Sequence, residues 1–325
     1  MTPAPLVRWG FLGAGSVATL ALGPAVHAAH GARLQSVAAS DPRRARALQP
    51  AGATYDDYQA LLADPEVDVV YIALANDDHL PWALAALSAG KHVLCEKPMG
   101  LDAGQVAQIA RAAAVASRWA IEATWYRWHP RAARTQQLIR DGAVGEPTAL
   151  VSAFCFGNVP DGNYRLDPTR GGGAWLDVGC YAVSAAHLLL GDELTVESAH
   201  VRPGPTGVDL ETSATLRTPG GAVAEVLASM DAPEHQDLTV HGTAASLAWS
   251  APQLTSWREP ATLVITAPGA EPIVEEFAAV DAYRLMVEQV GACVRGDGEP
   301  VVSAAESLRV ARTMDAVAAR RKVIA

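Results

Sequence analysis

The chain has 325 residues, of which half are apolar and 18% are charged, as in a folded protein large enough for two cores. Its net charge of −10 argues against nucleic acid and anionic membranes as partners. The sequence shows no basic leader followed by an apolar run and no uninterrupted apolar stretch of membrane-spanning length. We therefore expect a cytoplasmic protein.

The first apolar strand runs directly into a glycine turn and a helix. The turn reads Gly13-x-Gly15-x-x-Ala18, the fingerprint of dinucleotide-binding folds. Gly13 permits the sharp turn, Gly15 lets a pyrophosphate approach, and Ala18 lets the helix pack closely. Such a motif can also be an ordinary turn, so its position after a strand and before further βα units decides the interpretation. We expect cofactor contacts at Gly13, Gly15, Ser16, Val17 and Ala18.

Strands and helices alternate up to residue 124. After the first strand we predict strands at 34–39, 67–74, 91–95 and 120–124, and helices at 16–30, 43–48, 55–62, 81–89 and 103–117. Gly23-Pro24 should end or kink the first helix. The alternation predicts a doubly wound parallel sheet, a Rossmann domain over residues 1–124, with ligands beyond the carboxyl ends of the strands.

The pattern changes near residue 125. We predict helices at 131–140, 174–190, 281–295 and 304–321, and strands at 148–156, 208–217, 222–230, 237–242, 246–249, 262–266 and 273–277. Period-two alternation predicts a C-terminal α+β domain over residues 125–325 with a mostly antiparallel open sheet and helices on one side. The last helix can pack back on the first domain. The outer face carries Val223 and Leu227, so we expect a homodimer or homotetramer.

Cysteines and histidines give no metal or disulfide signature. His27 and His30 are three residues apart but lack a carboxylate or thiol partner, so we expect no metal. The cysteines are far apart, among apolar neighbours, and should be buried free thiols. They are Cys95, Cys155, Cys180 and Cys293.

Two segments carry residues suited to chemistry. Lys97 directly follows a strand and is held by Pro98, which would place it in the ligand crevice, although a solvated loop lysine is the alternative. Asp177 and Tyr181 are four residues apart and share a helix face. The triplet at 171–173 would let the backbone approach a ligand there. A helix-start aspartate and a core-edge tyrosine remain the alternative.

These residues together resemble the glucose–fructose oxidoreductase/inositol dehydrogenase (Gfo/Idh/MocA) family over nearly the whole chain. The matching motifs are Gly13-x-Gly15-x-x-Ala18, Asn76-x-x-His79, the run Ala-Gly-Lys-His-Val-Leu-Cys-Glu-Lys-Pro at 89–98, and Asp177-x-x-x-Tyr181. The tyrosine, together with Asn163-x-Arg165-x-x-Pro168, is similar to the branch with dimeric dihydrodiol dehydrogenase and NADP-linked D-xylose dehydrogenase.

The resemblance implies metal-free hydride transfer at a sugar or trans-diol carbon. Lys97 and Tyr181 would act at the reacting oxygen, with Asp177 orienting them. A free phenol has a pKa near ~10, and a nearby lysine cation would lower it toward a working value. The remaining expected contacts are Trp125, Phe154, Arg165, Asp177 and Tyr181 for the substrate, and Asn76, His79, Glu96 and Lys97 for the cofactor.

The residues expected near the ribose 2′ position of the cofactor decide whether NADP or NAD is bound. Ala39 and Ser40 stand where an NAD-type acid would end the second strand, and Asp41 comes later as a helix cap. Arg43 and Arg44 follow, close enough to pair with a 2′-phosphate. The resemblance implies a basic residue at the place of Arg44 in NADP-using relatives, so Ser40 and Arg44 are expected at that phosphate. This favours NADP, with NAD possible, although a solvated helix face explains the arginines about as well.

Two other functions compete with a sugar or diol dehydrogenase. A non-catalytic nucleotide-binding regulator of this fold should have lost Lys97 or the Asp177/Tyr181 pair, and all three are present. A reductase of a non-sugar carbonyl would keep the same residues, so the sequence leaves it open.

Overall fold

The computed structural model describes residues 5–250, 254 and 258–324. They form two compact units, the first running to Trp128 and adding Asp281–Ser307, the second comprising His129–Val280 and the chain from Leu308 onward. The α-helices are α1 (Gly23–Ala28), α2 (Pro42–Ala47), α3 (Tyr58–Leu62), α4 (Asn76–Ser88), α5 (Ala103–Ala116), α6 (Pro130–Arg140), α7 (Cys180–Leu190), α8 (Ala282–Arg295) and α9 (Ala304–Arg320).

The first unit contains a six-stranded sheet in which every pair is parallel. Its strands are β1 (Val7–Leu12), β2 (Ala32–Ala38), β3 (Thr54–Tyr55), β4 (Val69–Ile72), β5 (His92–Cys95) and β6 (Ala120–Glu122). Their order is β3-β2-β1-β4-β5-β6. The order reverses at β1, as in a doubly wound fold, which confirms the predicted Rossmann architecture.

The helix continues past Gly23-Pro24: the π-helical turn Ala18–Leu22 precedes the pair, and the Gly23 N–H bonds back to Ala18. Two local predictions in this unit were wrong. α4 begins at Asn76 and contains Pro81, which removes one backbone hydrogen bond near the helix start without ending the helix. Thr54–Tyr55 is an edge strand paired with β2, so the predicted helix at 55–62 starts at Tyr58.

The second unit contains a nine-stranded mixed sheet. Its strands are β7 (Pro147–Cys155), β8 (Thr195–Pro203), β9 (Asp209–Arg217), β10 (Val223–Ser229), β11 (His235–Gly242), β12 (Ser246–Trp249), β13 (Ala261–Thr266), β14 (Ile273–Phe277) and β15 (Lys322–Val323). Their order is β14-β13-β12-β11-β7-β10-β9-β8-β15. Two pairs, β7–β10 and β8–β15, are parallel and the rest antiparallel, which confirms the mostly antiparallel sheet.

Helices cover one face of this sheet. α7 packs on β7 and β10, and α6 packs on β13. Along β10 the buried residues alternate with half-buried Val223 and Leu227, which therefore lie on the other face. Sequence reasoning missed β8 and β15, because β8 mixes polar and apolar residues and β15 has two residues.

The last two helices, α8 and α9, fall mainly in different units. α8 belongs to the first unit, where it packs on β2 and α1, whereas α9 from Leu308 onward belongs to the second. Segment Pro168–Leu190 is long and apolar enough to span a membrane, but 78% of its apolar window is buried, as in a core helix. All four cysteines are buried and free, as predicted.

Candidate active site

The glycine turn after β1 shows two different uses of glycine. Gly13 has φ +92°, and its N–H donates to the Ala38 carbonyl at 2.8 Å. A Cβ on Gly13 would lie 2.5 Å from the Ala73 carbonyl oxygen, so the fold itself requires glycine there. At Gly15 a Cβ would meet only that oxygen, at 3.8 Å. The fold does not demand glycine at 15, which leaves room for a ligand atom above the backbone.

The helix after this turn begins where the chain is accessible. Ser16 and Val17 are exposed at its start, and Ala18 is fully buried in the π-helical turn. The first N–H groups of a helix have no acceptor within it, and they carry the positive end of its dipole. The observed turn therefore fits the phosphates of a dinucleotide.

Asp41 beyond β2 is already engaged. Its carboxylate caps α2 by accepting from the Arg43 N–H at 2.9 Å, and it also accepts from the Arg43 guanidinium at 3.0 Å. The hydrogen bond from that guanidinium holds the pKa of the Asp41 carboxyl below its usual value. Ser40 and Arg44 are exposed beside this pair. Asp41 is thus a helix cap, as predicted.

His79 on α4 is a buried connection between two segments. Its Nδ1 lies 2.8 Å from the Pro98 carbonyl oxygen and its Nε2 lies 3.3 Å from the Leu74 carbonyl oxygen. Burial lowers the pKa of the imidazole. His79 thus connects α4 to the residues after β5, and its expected contact with the cofactor stays a prediction. Asn76, also buried, begins the same helix.

The residues around Lys97 are held by side chains from neighbouring elements. The Tyr71 hydroxyl donates to Oε1 of Glu96 at 2.6 Å. The Met99 N–H donates to Oε1 of Glu122 at 2.9 Å. Lys97 itself is half-buried, and its peptide bond to Pro98 is cis. Glu122 was not among the residues predicted from the sequence, because it lies inside the strand predicted at 120–124.

The predicted substrate residues of the second unit form a cluster. Nε of Arg165 donates to Oδ2 of Asp177 at 2.6 Å, and Nη2 donates to Oδ1 at 3.2 Å. Asp177 is 4% exposed. Burial lowers the pKa of Arg165, but the attraction of Asp177 outweighs it and the net pKa is raised. Arg165 therefore holds Asp177, and its expected contact with the substrate stays a prediction.

Tyr181 lies in the same cluster. Its ring is 5.4 Å from that of Phe154, tilted by 42°, and Tyr181 is 5% exposed. Asp177 belongs to the π-helical segment Trp175–Gly179, which leads directly into α7. A Cβ on Gly179 would lie 2.5 Å from the Trp175 ring, which explains a glycine inside this helix. In the first unit, the Trp125 ring stacks on Tyr283 at 5.1 Å.

The glycine triplet has a structural role that differs from the one predicted. A Cβ on Gly172 would meet the carbonyl oxygens of Arg165 and Asp167 at 2.5 and 2.7 Å. Gly173, with φ +112°, lies against the Asp209 carboxylate, which also accepts from the Trp175 N–H at 2.7 Å. These glycines let the chain pack on itself, so the idea that they admit a ligand is wrong for Gly172 and Gly173. Within the described ranges no group of three or more His, Cys, Asp or Glu could hold a metal ion.

Two family models and several known proteins match this chain. Residues 7–122 match the oxidoreductase family with an NAD-binding Rossmann fold, and residues 132–248 match the GFO/IDH/MocA C-terminal domain. A D-xylose 1-dehydrogenase (NADP(+)) from Haloferax volcanii is 36% identical over 316 residues, 96% of each chain. The trans-1,2-dihydrobenzene-1,2-diol dehydrogenase of Mus musculus is 29% identical over 326 residues, 95% of each.

A solved structure extends the likeness to the whole fold. The 3-ketoreductase KijD10 from Actinomadura kijaniata, in complex with NADP and TDP-benzene, superimposes with a TM-score of 0.92. It is 26% identical, and the match covers 98% of this chain and 99% of that one. The two family matches and the nearly full-length relatives confirm the resemblance inferred from the motifs. This chain belongs to the Gfo/Idh/MocA family of oxidoreductases.

Proposed function

We propose that this protein is a cytoplasmic, homo-oligomeric, NADP(H)-dependent oxidoreductase that transfers a hydride between nicotinamide and a sugar or trans-diol carbon. The observation that carries the proposal is the buried cluster in which Asp177 is held by Arg165 next to Tyr181 and Phe154. A protein that merely bound nucleotide would have no use for an ionisable phenol beside such an ion pair.

The substrate class rests on the aromatic residues and on the relatives. Phe154 and Trp125 are aromatic residues of the kind that suits a sugar or cyclic diol, and their rings lie against Tyr181 and Tyr283 respectively. The relatives are named for xylose and for a trans-dihydrodiol, and KijD10 is a 3-ketoreductase seen with TDP-benzene. The first experiment is a screen of aldoses, polyols, trans-diols and a TDP-linked ketosugar with both cofactors, following nicotinamide absorbance. A chain inactive on all of them would favour the regulator or a non-sugar carbonyl.

In the proposed mechanism, Tyr181 exchanges the proton of the reacting oxygen. The Lys97 ammonium favours the ionised phenol and the developing charge on that oxygen. The Asp177 carboxylate, fixed by two hydrogen bonds from Arg165, orients the polar groups. Bound nicotinamide supplies the hydride acceptor or donor.

The turn and the segments around it would hold the cofactor. Residues Gly13–Ala18 take the pyrophosphate, and Ser40 and Arg44 take the 2′-phosphate. Asp41 is a poorer ligand for a ribose 2′-hydroxyl as the structure has it, because Arg43 and the α2 cap already engage its carboxylate.

Removing the Tyr181 hydroxyl should remove the general acid/base. We expect Tyr181→Phe to lower kcat by about 10²–10⁴-fold. Lys97→Met should cost a similar factor and move the pH–rate profile to higher pH, since the phenol loses its cationic neighbour. Both variants should still bind NADP, as measured by fluorescence titration. Near wild-type kcat for Tyr181→Phe would leave Lys97 or another group as the proton carrier.

Breaking the Arg165–Asp177 pair should remove the cation that offsets a buried carboxylate. We expect Arg165→Ala to lower the free energy of unfolding by up to about 3 kcal/mol and to lower kcat. Adding Asp177→Asn should restore stability, because the buried side chain then carries no charge, but not kcat. Urea unfolding and steady-state kinetics give both quantities. Arg202→Ala, which breaks a more exposed pair with Asp231, is the control. Equal stability of the single and double variants would contradict this role for Arg165.

The cofactor proposal predicts a selective effect at Arg44. Arg44→Ala should lower kcat/KM for NADP by about 10–100-fold, the value of a hydrogen bond to a charged group, and leave NAD nearly unchanged. Arg46→Ala, also exposed on α2, is the matched control. An NAD preference that the Arg44 substitution does not alter would return Asp41 to the role of ribose ligand.

The apolar residues on the outer face of the second sheet predict that the chain forms an oligomer. Light scattering at micromolar concentration should give a multiple of the 34.0 kDa chain mass. Leu227→Asp places a charge in the proposed contact and should shift the mass toward that of the monomer. Val115→Asp, at an exposed apolar position on α5, should leave it unchanged. A monomeric wild type refutes the proposal.

A further inference from the structure

A buried carboxylate outside the predicted site lies beside the segment that carries Lys97. Glu122 ends β6, is paired in parallel register with Cys95 of β5, and is 6% exposed. Its Oε1 accepts from the Met99 N–H at 2.9 Å. From the neighbouring strand, Glu122 therefore reaches the backbone two residues beyond Lys97.

The same four-residue segment, 96–99, is held from two further elements. Tyr71 on β4 donates to Glu96 at 2.6 Å, and His79 on α4 lies 2.8 Å from the Pro98 carbonyl oxygen. The residues on both sides of Lys97 are thus fixed by buried side chains of three elements. A reactive side chain on a fixed backbone needs little reorganisation to reach its productive geometry.

The charge of Glu122 also bears on Lys97. Burial raises the pKa of Glu122 above its usual value, although the hydrogen bond from Met99 and the attraction of Lys97 oppose that rise. Among the titratable groups around this carboxyl, the Cys95 thiol interacts electrostatically with both Glu122 and Glu96. His79 interacts in the same way with Lys97. A carboxylate here therefore lies within the field of the lysine ammonium.

We infer that Glu122 is a positioning residue for Lys97: its carboxylate fixes the backbone of Met99 and sets a negative charge close to the lysine. This inference rests on the proposed function, in which Lys97 acts at the reacting oxygen. The alternative is that Glu122 merely satisfies a buried N–H and closes the sheet.

Two substitutions separate the hydrogen bond from the charge. Glu122→Gln keeps an oxygen acceptor for the Met99 N–H but removes the charge. It should retain most of kcat at the pH optimum and move the high-pH limb of kcat to lower pH, because the ammonium loses its carboxylate neighbour. Glu122→Ala removes both and should lower kcat by about 10²-fold, as expected when a catalytic group is displaced by an ångström. Affinity for NADP should stay unchanged in both.

A double variant tests whether the effect passes through Lys97. In a Lys97→Met background, Glu122→Ala should cost nothing further in kcat. Asp64→Ala is the control, since Asp64 also accepts a backbone N–H, from Glu66 at 2.8 Å, but precedes β4. It should lower Tm and leave kcat unchanged. If Glu122→Ala does not yield folded protein, the pH profile of Glu122→Gln decides alone.

The outcomes distinguish this inference from the proposed function. If the losses of kcat multiply in the double variant, or if Glu122→Gln leaves the high-pH limb of kcat in place, Glu122 is only a structural residue. Lys97 keeps its proposed role in either case. Full activity of Lys97→Met would overturn the role of Lys97, and the inference would fall with it.

Discussion

The parallel sheet of the first unit is the constraint on which the remaining features depend. Since every pair is parallel, the chain leaves β1, β2, β4, β5 and β6 at one edge. The glycine turn, the residues around Asp41, the start of α4 and the segment of Lys97 all follow these strands. Hydrogen bonds between successive segments, such as Gly13 N–H to the Ala38 carbonyl, tie that edge together.

Buried polar side chains at this edge form hydrogen bonds with one another and with the backbone of the segment 96–99. Tyr71 donates to Glu96, Glu122 accepts from Met99, and His79 contacts the Pro98 carbonyl. A buried donor or acceptor left without a partner costs about 1–3 kcal/mol, so each of these side chains favours one placement of the segment. The stability of the fold and the position of Lys97 therefore come from the same contacts.

Sequence reasoning predicted what depends on local pattern. Apolar runs and period-two alternation indicated both sheets, and the motif at Gly13–Ala18 indicated the turn. It failed where the role of a residue depends on a contact with a segment distant in the sequence. Gly172 is set by the carbonyl of Arg165 and Gly173 by Asp209. Glu122 is defined by its contact with Met99, 23 residues earlier in the chain, which no local spacing shows.

The pairing of Arg165 with Asp177 changes how the second unit is understood. A lone buried carboxylate beside Tyr181 would disfavour ionisation of the phenol, because like charges repel. Arg165 offsets the charge of that carboxylate through two hydrogen bonds. Asp177 can therefore orient its neighbours without opposing the proton transfer proposed for Tyr181.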